Sequence, residues 1–121
     1  MAIHNTIGKR GEEIAKEYLS KHKYIILETN WRFHRNEIDI IAKEGDELII
    51  VEVKTRTDDN FQLAHEAITQ KKIRAIIRTA NAYIKYKNLD CNTRFDLISI
   101  IKQGKKCKLE HIKDAFSAIH S

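Results

Sequence analysis

The 121-residue sequence has no proline, only four glycines and only two cysteines. Without proline, a Ser/Gly-rich stretch or a low-complexity tract, nothing in the sequence marks an internal linker. The cysteines, Cys91 and Cys107, lack CxxC spacing and predict free thiols rather than a disulfide or a zinc site. We therefore expect one domain, residues 1–121, with one core.

Long apolar runs are also absent. No stretch approaches the roughly 20 apolar residues that a membrane span needs, and the N-terminal MAIHNTIGKRGEE lacks the apolar segment of a signal peptide. No P-loop, dinucleotide-binding or serine-esterase motif occurs, and the histidines show no ligand spacing. We expect a cytoplasmic protein that has no membrane partner.

Negative charge is in the minority, since 22 Lys and Arg residues against 17 Asp and Glu give a formal net charge of +5. A positive surface favours a polyanionic partner such as nucleic acid. The alternative is an ordinary solvated basic surface, and charge alone does not separate the two.

Apolar periodicity predicts two helices and five strands. The helical patterns cover residues 5–21 and about 65–86. The strand patterns cover residues 24–33, 36–43, 47–55, 93–101 and 106–112. The resulting order, α-β-β-β-α-β-β, predicts a mixed α/β domain with a central sheet flanked by helices.

The second and third strands are predicted to form a hairpin that turns at Gly45-Asp46. In this register Asp39 lies directly opposite Glu52. Ile38, Ile40 and Ala42 then share one continuously apolar face of the sheet. A slip of one residue would mix charges into that face, so the apolar pattern itself favours the pairing of Asp39 with Glu52.

Two opposed carboxylates, with Cβ atoms about 4.5–5.5 Å apart, destabilise a sheet unless something offsets their repulsion. Mg²⁺ or Mn²⁺ would do so, because hard divalent cations bind carboxylate oxygens. Lys54 follows Glu52 by two residues on the same face and can orient a water or share the charge of a phosphate. Asp39, Glu52 and Lys54 therefore predict phosphodiester hydrolysis, with Asp39 and Glu52 as metal ligands. The alternative is a surface strand whose charges simply face water.

Asp39 thirteen positions before Glu52-Val53-Lys54 resembles the site of PD-(D/E)XK nucleases. A closer resemblance, to the bacterial YraN family, also called UPF0102, extends along nearly the whole chain. It is carried by Gly8-Lys9, Gly11-Glu12, Asn30-Trp31-Arg32, Glu37-Ile38-Asp39, Val51 to Arg56, Lys71, Arg94-Phe95-Asp96 and Ile112 to Phe116.

This resemblance implies a restriction-endonuclease-like fold similar to archaeal Holliday junction resolvases, and an endonuclease activity. It also implies that Glu12 joins Asp39, Glu52 and Lys54 in the site. The alternative for Glu12 is a first-turn glutamate favoured by the helix dipole. Asp96 is either a neighbour of the site or a buried partner of a basic residue.

Four further cations are candidate contacts for the DNA backbone: Arg56, which continues from Lys54, and Lys71, Arg74 and Arg78, which form a basic ridge on the second helix. A solvated helix face is the alternative for the ridge. Trp31 either stacks on bases or belongs to the core.

No base-reading motif appears, so we expect binding directed by DNA structure, on branched or single-strand-containing DNA. A junction resolvase needs two active sites and would therefore be a homodimer. The other functions open at this point are a nucleic-acid-binding module without catalysis and a protein-interaction domain.

Overall fold

The computed structural model describes residues 2–4, 11–57 and 68–117. The helices in these ranges are α1 (Gly11–Lys21) and α2 (Gln70–Lys87), and the strands are β1 (Ala2–His4), β2 (Ile25–Phe33), β3 (Asn36–Glu44), β4 (Glu47–Thr57), β5 (Thr93–Gln103) and β6 (Lys106–Phe116). From α1 onward the order is α-β-β-β-α-β-β, which confirms the predicted mixed α/β fold. The short strand β1 was not predicted.

The strands form one sheet in the order β1-β6-β5-β4-β3-β2. β4 and β5 run parallel, and the other neighbouring pairs are antiparallel. Parallel neighbours need a crossover connection, and α2 lies in the segment that joins them. The sheet is therefore mixed, and β1 and β2 are its edges.

Each face of the sheet packs against one of the two described helices. On the first face, α1 contributes Ile14, Ala15 and Leu19, which pack on the inward-facing positions Ile40, Ala42, Ile49, Val51, Ile98 and Ile100. On the second face, α2 contributes Ile76, Ile77, Ala80 and Tyr83, which pack on Ile41, Leu48, Ile50 and Phe95. Because neighbouring strand residues point to opposite faces, the apolar runs in β3, β4 and β5 supply both layers.

The helix starts differ from the predicted ones. α2 begins at Gln70, not near residue 65, because Thr69 is its N-cap and accepts a hydrogen bond from the Lys72 amide at 3.1 Å. The described part of the first helix begins at Gly11, and the predicted residues 5–10 lie outside the described ranges. Neither described helix is long and apolar enough to cross a membrane.

Gly11 lies directly against β4. A Cβ added at Gly11 would collide with Oγ1 of Thr55, and it would also contact the side chain of Ile100 in β5. Glycine therefore permits the first turn of α1 to approach the sheet this closely. The N-terminus of α1 consequently lies at the end of the sheet where β4 carries Lys54 and Arg56.

Both cysteines are free thiols, as predicted. Cys107 is buried in the core beneath α1, and Cys91 is exposed in the connection between α2 and β5.

The prediction for Ile38 was wrong. Ile38 packs with Ile41 and Ile50 on the α2 side of the sheet, whereas Ile40 packs on the α1 side. Strict alternation ends where the β3–β4 ladder stops, at the Ile40–Val51 pair. On the other side of β3, Asn30 lies between the Thr29–Ile40 and Trp31–Ile38 pairs and adopts a left-handed backbone with φ 51°. Ile38 therefore faces the same side as Trp31, its partner in β2.

Candidate functional site

The carboxylates of Asp39 and Glu52 meet on adjacent strands. The β3–β4 ladder runs from Glu44 paired with Glu47 to Ile40 paired with Val51, which confirms the predicted register. Past this point Oδ2 of Asp39 accepts a hydrogen bond from the Val53 amide at 2.8 Å. The charge of Asp39 and a hydrogen bond with it both raise the pKa of Glu52, so the two carboxyl groups interact directly across the strands.

The environment of Glu52 disfavours its charged form. The residue is only 4 % exposed. Burial, followed by the charge of Asp39 and the hydrogen bond to it, raises the pKa of Glu52 to about 8, against smaller opposing effects of Lys72 and Lys54. A proton is therefore retained on Glu52 at neutral pH, since a neutral carboxyl avoids both desolvation and repulsion.

Lys72 is a site residue that the sequence reasoning missed. Its Nζ lies 3.6 Å from Oε2 of Glu52. The signal was present, because Lys72 precedes the buried Ile76 by four residues and so falls on the sheet-facing side of α2. Lys54, which was predicted, is close enough for its charge to lower the pKa of Glu52.

Glu12, which the resemblance adds to the site, is bound by Asn30 of β2, and its part in the site stays a prediction. Nδ2 of Asn30 donates to Glu12 at 2.8 Å and to Glu37 at 2.6 Å, and Asn30 lies opposite Asp39 on β2. Within residues 11–57 and 68–117 no three His, Cys, Asp or Glu side chains converge as a potential metal site. Among the described residues the carboxyl groups of Asp39 and Glu52 interact as a pair, and Glu12 is bound to Asn30.

Arg56 and Ser99 place unpaired polar groups on the same side of the sheet. Lys54 pairs with Ser99 across β4 and β5, and the period of two puts Glu52, Lys54 and Arg56 on one face. The Ser99 hydroxyl and the Nε and Nη1 atoms of Arg56 are buried, and among the described residues they have no hydrogen-bond partner. Arg56 was predicted as a contact for the DNA backbone. Ser99 was not predicted, although a single serine within an otherwise apolar strand could have marked it as a candidate.

The ridge residues Lys71, Arg74 and Arg78 are all exposed. They lie on the outer side of α2, which packs on the sheet face that carries Glu52. The ridge thus lies on the same side of the sheet as the carboxylates but points away from them. Its contact with nucleic acid stays a prediction.

A second polar cluster lies on the opposite face of the sheet, around the fully buried Asp96. Nε and Nη2 of Arg94 both donate to Asp96 at 2.8 Å, the Asp114 amide donates at 3.0 Å, and Nε2 of His111 lies 2.7 Å from Oδ2. Burial would raise the pKa of Asp96, but these hydrogen bonds outweigh it and lower the pKa to about 2. Asp96 is therefore a buried partner of Arg94 and not a neighbour of Glu52.

This cluster connects separate elements of the fold. Arg94 also donates to the Tyr24 hydroxyl at 2.9 Å and to Glu44 at 3.0 Å. The Tyr18 hydroxyl of α1 lies 2.9 Å from Nδ1 of His111. Through Arg94 and His111, the buried carboxylate of Asp96 is thus connected with α1, the residue before β2, the end of β3, and both β5 and β6.

A mixed sheet with one helix on each face, and paired acidic residues on its central hairpin, define this protein as an α/β domain of the nuclease-like fold. The chain belongs to the uncharacterised protein family UPF0102, whose family model matches residues 11–100.

Three relatives illustrate how close this membership is. A UPF0102 protein of Parabacteroides distasonis is 48 % identical over 118 residues, covering 98 % of each chain. A UPF0102 protein of Bacteroides fragilis is 47 % identical over 116 residues, which cover 96 % of this chain and 96 % of the relative. A UPF0102 protein of Christiangramia forsetii is also 47 % identical over 116 residues, which cover 96 % of this chain and 98 % of the relative. The similarity therefore spans almost the whole length of this chain and of each relative.

Proposed function

We propose that this protein is a metal-dependent DNA endonuclease in which Asp39 and Glu52 hold Mg²⁺ or Mn²⁺. The observation that carries the proposal is the buried pair formed by these two carboxyl groups, in which burial and then the neighbouring Asp39 raise the pKa of Glu52 to about 8. A structural role does not explain such a pair, because opposed carboxylates destabilise a sheet. A bound cation would turn this unfavourable contact into a binding site.

The donor set fits a hard divalent cation. Carboxylate oxygens are the preferred protein ligands of Mg²⁺, which commonly uses one or two of them and completes its shell with water and phosphate oxygens. Asp39 and Glu52 supply that number. When bound, such an ion lowers the pKa of a coordinated water and offsets charge on the phosphate.

The surrounding cations have separate roles in this proposal. Lys54, on the same strand face as Glu52, orients the attacking water or shares the phosphate charge. Lys72 faces Glu52 from α2 and stabilises its ionised form. Glu12, through Asn30, positions the neighbouring part of β2 beside Asp39.

Arg56 and Ser99 fit the next phosphate of the substrate. Both carry buried polar atoms that lack a partner among the described residues, and a buried unsatisfied donor costs about 1–3 kcal/mol. A phosphate oxygen would accept hydrogen bonds from the guanidinium and the hydroxyl together. We therefore assign these two side chains to substrate positioning.

The substrate is proposed to be DNA with branched or single-stranded parts. The net charge of +5 suits a polyanion, and the fold offers phosphate contacts rather than a base-reading element. Cutting a four-way junction on both sides would require two copies of the site, hence a homodimer.

The test is cleavage of labelled duplex, single-stranded, flap and four-way-junction DNA with Mg²⁺ or Mn²⁺. We expect cutting that is abolished by EDTA and by Glu52→Ala, while Glu13→Ala, which removes an exposed glutamate on α1, leaves it unchanged. If the wild-type protein binds these DNAs but leaves them intact under all metals, the protein is a non-catalytic nucleic-acid-binding module instead.

The basic ridge gives a separate prediction about DNA affinity. Lys71→Ala combined with Arg74→Ala should weaken binding and reduce the slope of log affinity against log salt by about 1 for each phosphate that is no longer neutralised. The measurement is fluorescence anisotropy at several salt concentrations. Lys21→Ala with Lys43→Ala is the matched control, because it removes two exposed cations near the other end of the sheet. An equal effect of both double variants would show that only net charge matters.

A further inference from the structure

A row of aromatic side chains lies along the β2 edge of the sheet. We call the side chains of Tyr86, Trp31, Phe33 and His34 the aromatic ladder. Trp31 lies 6.4 Å from Tyr86 and 6.4 Å from Phe33 between ring centroids, and the planes of Trp31 and Phe33 differ by only 3°. Phe33 in turn contacts His34 edge to face at 4.2 Å. The four rings are therefore contiguous.

The ladder is anchored on one side and open on the other. Trp31 contacts the buried ring of Tyr83 edge to face at 5.1 Å, which fixes its position on the core. In contrast, Phe33 is 39 % exposed and Tyr86 is 73 % exposed. β2 is an edge of the sheet, and no described strand lies beyond it. Large aromatic side chains that are left open to solvent beside an anchored ring are typical of binding surfaces.

The charges around the ladder indicate which partner fits it. Nζ of Lys87 lies 5.4 Å from the centroid of the Tyr86 ring and 3.8 Å from Oε2 of Glu28, and Arg35 is exposed in the turn that it forms with His34. Rings flanked by cations suit a single nucleic-acid strand, because bases stack on the rings while the cations meet the phosphates. An apolar protein partner would gain nothing from these cations.

The position of the ladder connects it with the carboxylate site. Trp31 pairs with Ile38, the residue next to Asp39. The β2–β3 turn, with His34 and Arg35, lies at the same end of the sheet as Lys54 because β3 and β4 are antiparallel. A strand stacked on the ladder would therefore pass beside Asp39.

We propose that the aromatic ladder binds unpaired bases of a single DNA strand and thereby directs the site to DNA that contains single-stranded parts. This inference rests on the proposed function, since it names the feature of the substrate that the site selects. The interaction itself requires neither a metal nor cleavage.

The test uses Trp31 as the reporter, because the chain contains one tryptophan. Titration with an oligothymidine strand in EDTA should quench its fluorescence, whereas a blunt duplex should bind with little quenching. Phe33→Ala with Tyr86→Ala should weaken binding of the single strand, by roughly 5- to 150-fold for each base that no longer stacks, and leave duplex binding unchanged. Ile25→Ala is the matched control, since Ile25 is 62 % exposed on the same strand but outside the ladder.

The outcomes separate this inference from the proposed nuclease activity. Loss of single-strand affinity in the ladder variant would support the ladder even if no DNA is ever cut. Binding of oligothymidine without a fluorescence change, or with equal affinity in the ladder variant, would overturn it even in an active nuclease. Sedimentation that shows a dimer dissociated by the same two substitutions would overturn it in favour of an interface between two copies.

Discussion

Glu52→Gln is expected to make the metal-free protein more stable at pH 8.5 than the wild type, while removing stabilisation by Mg²⁺ or Mn²⁺. Glutamine keeps the shape of the side chain but carries no charge beside Asp39. Each unit of pKa shift corresponds to about 1.4 kcal/mol, so a pKa raised from 4.5 to about 8 predicts a gain on the order of 5 kcal/mol. Thermal unfolding with and without Mn²⁺ measures both effects.

The sign of this effect depends on pH. Because the folded protein holds the Glu52 proton more tightly than the unfolded chain, the wild type loses stability as pH rises from about 4.5 to about 8. Below that window the carboxyl is protonated in both states, and the two proteins should be equally stable. Glu13→Gln, at an exposed position, should follow the wild-type curve. Parallel pH profiles for the wild type and Glu52→Gln would be incompatible with a buried carboxyl pair.

Asp96→Asn is expected to cause the largest loss of stability, about 3–5 kcal/mol, because it leaves the charge of Arg94 without its main buried partner. The Asn amide also presents a donor where Arg94, His111 and the Asp114 amide already donate. Urea unfolding at pH 7 measures the change in the free energy of unfolding. DNA cleavage by the remaining folded fraction should persist, since Asp96 lies on the other face of the sheet.

The acid response provides a second readout for Asp96. The pKa of Asp96 is lowered to about 2 in the folded protein. Its ionised form therefore adds its full contribution to the free energy of unfolding above the pKa of the unfolded chain, near 4, and this contribution is lost as pH falls towards 2. The wild type should lose about 2 kcal/mol across this window, and Asp96→Asn should not show that loss. Asp90→Asn, in the exposed connection before β5, serves as the control and should behave like the wild type.

The central hairpin could be predicted because two independent signals agreed on one register. Gly45-Asp46 set the turn, and the apolar residues of β3 and β4 near it would all have changed faces after a slip of one residue. The observed pairs Ile41–Ile50 and Ala42–Ile49 follow from this. The meeting of Asp39 and Glu52 follows from the same register, so the centre of the candidate site was already determined by short-range patterns.

Features that depend on long-range contacts could not be predicted in this way. The face of Ile38 changes where the β2–β3 pairing passes the left-handed Asn30 of another strand. The contact of Lys72 with Glu52 depends on how α2 lies across the sheet, and periodicity gives the phase of a helix but not its placement. The hydrogen-bond partners of Asp96 come from β5 and β6, and no sequence motif indicates that these groups contact one another.

The irregularity of β2 also affects how separate molecules meet. An exposed edge strand presents a row of free N–H and C=O groups, which invites edge-to-edge aggregation. In β2 this row is interrupted by a bulge between Ile26 and Glu28 and again by the left-handed Asn30. A regular strand of another molecule would lose hydrogen-bond register within a few residues. The same distortion that turns Ile38 and Trp31 towards α2 therefore protects this edge against amyloid-like pairing.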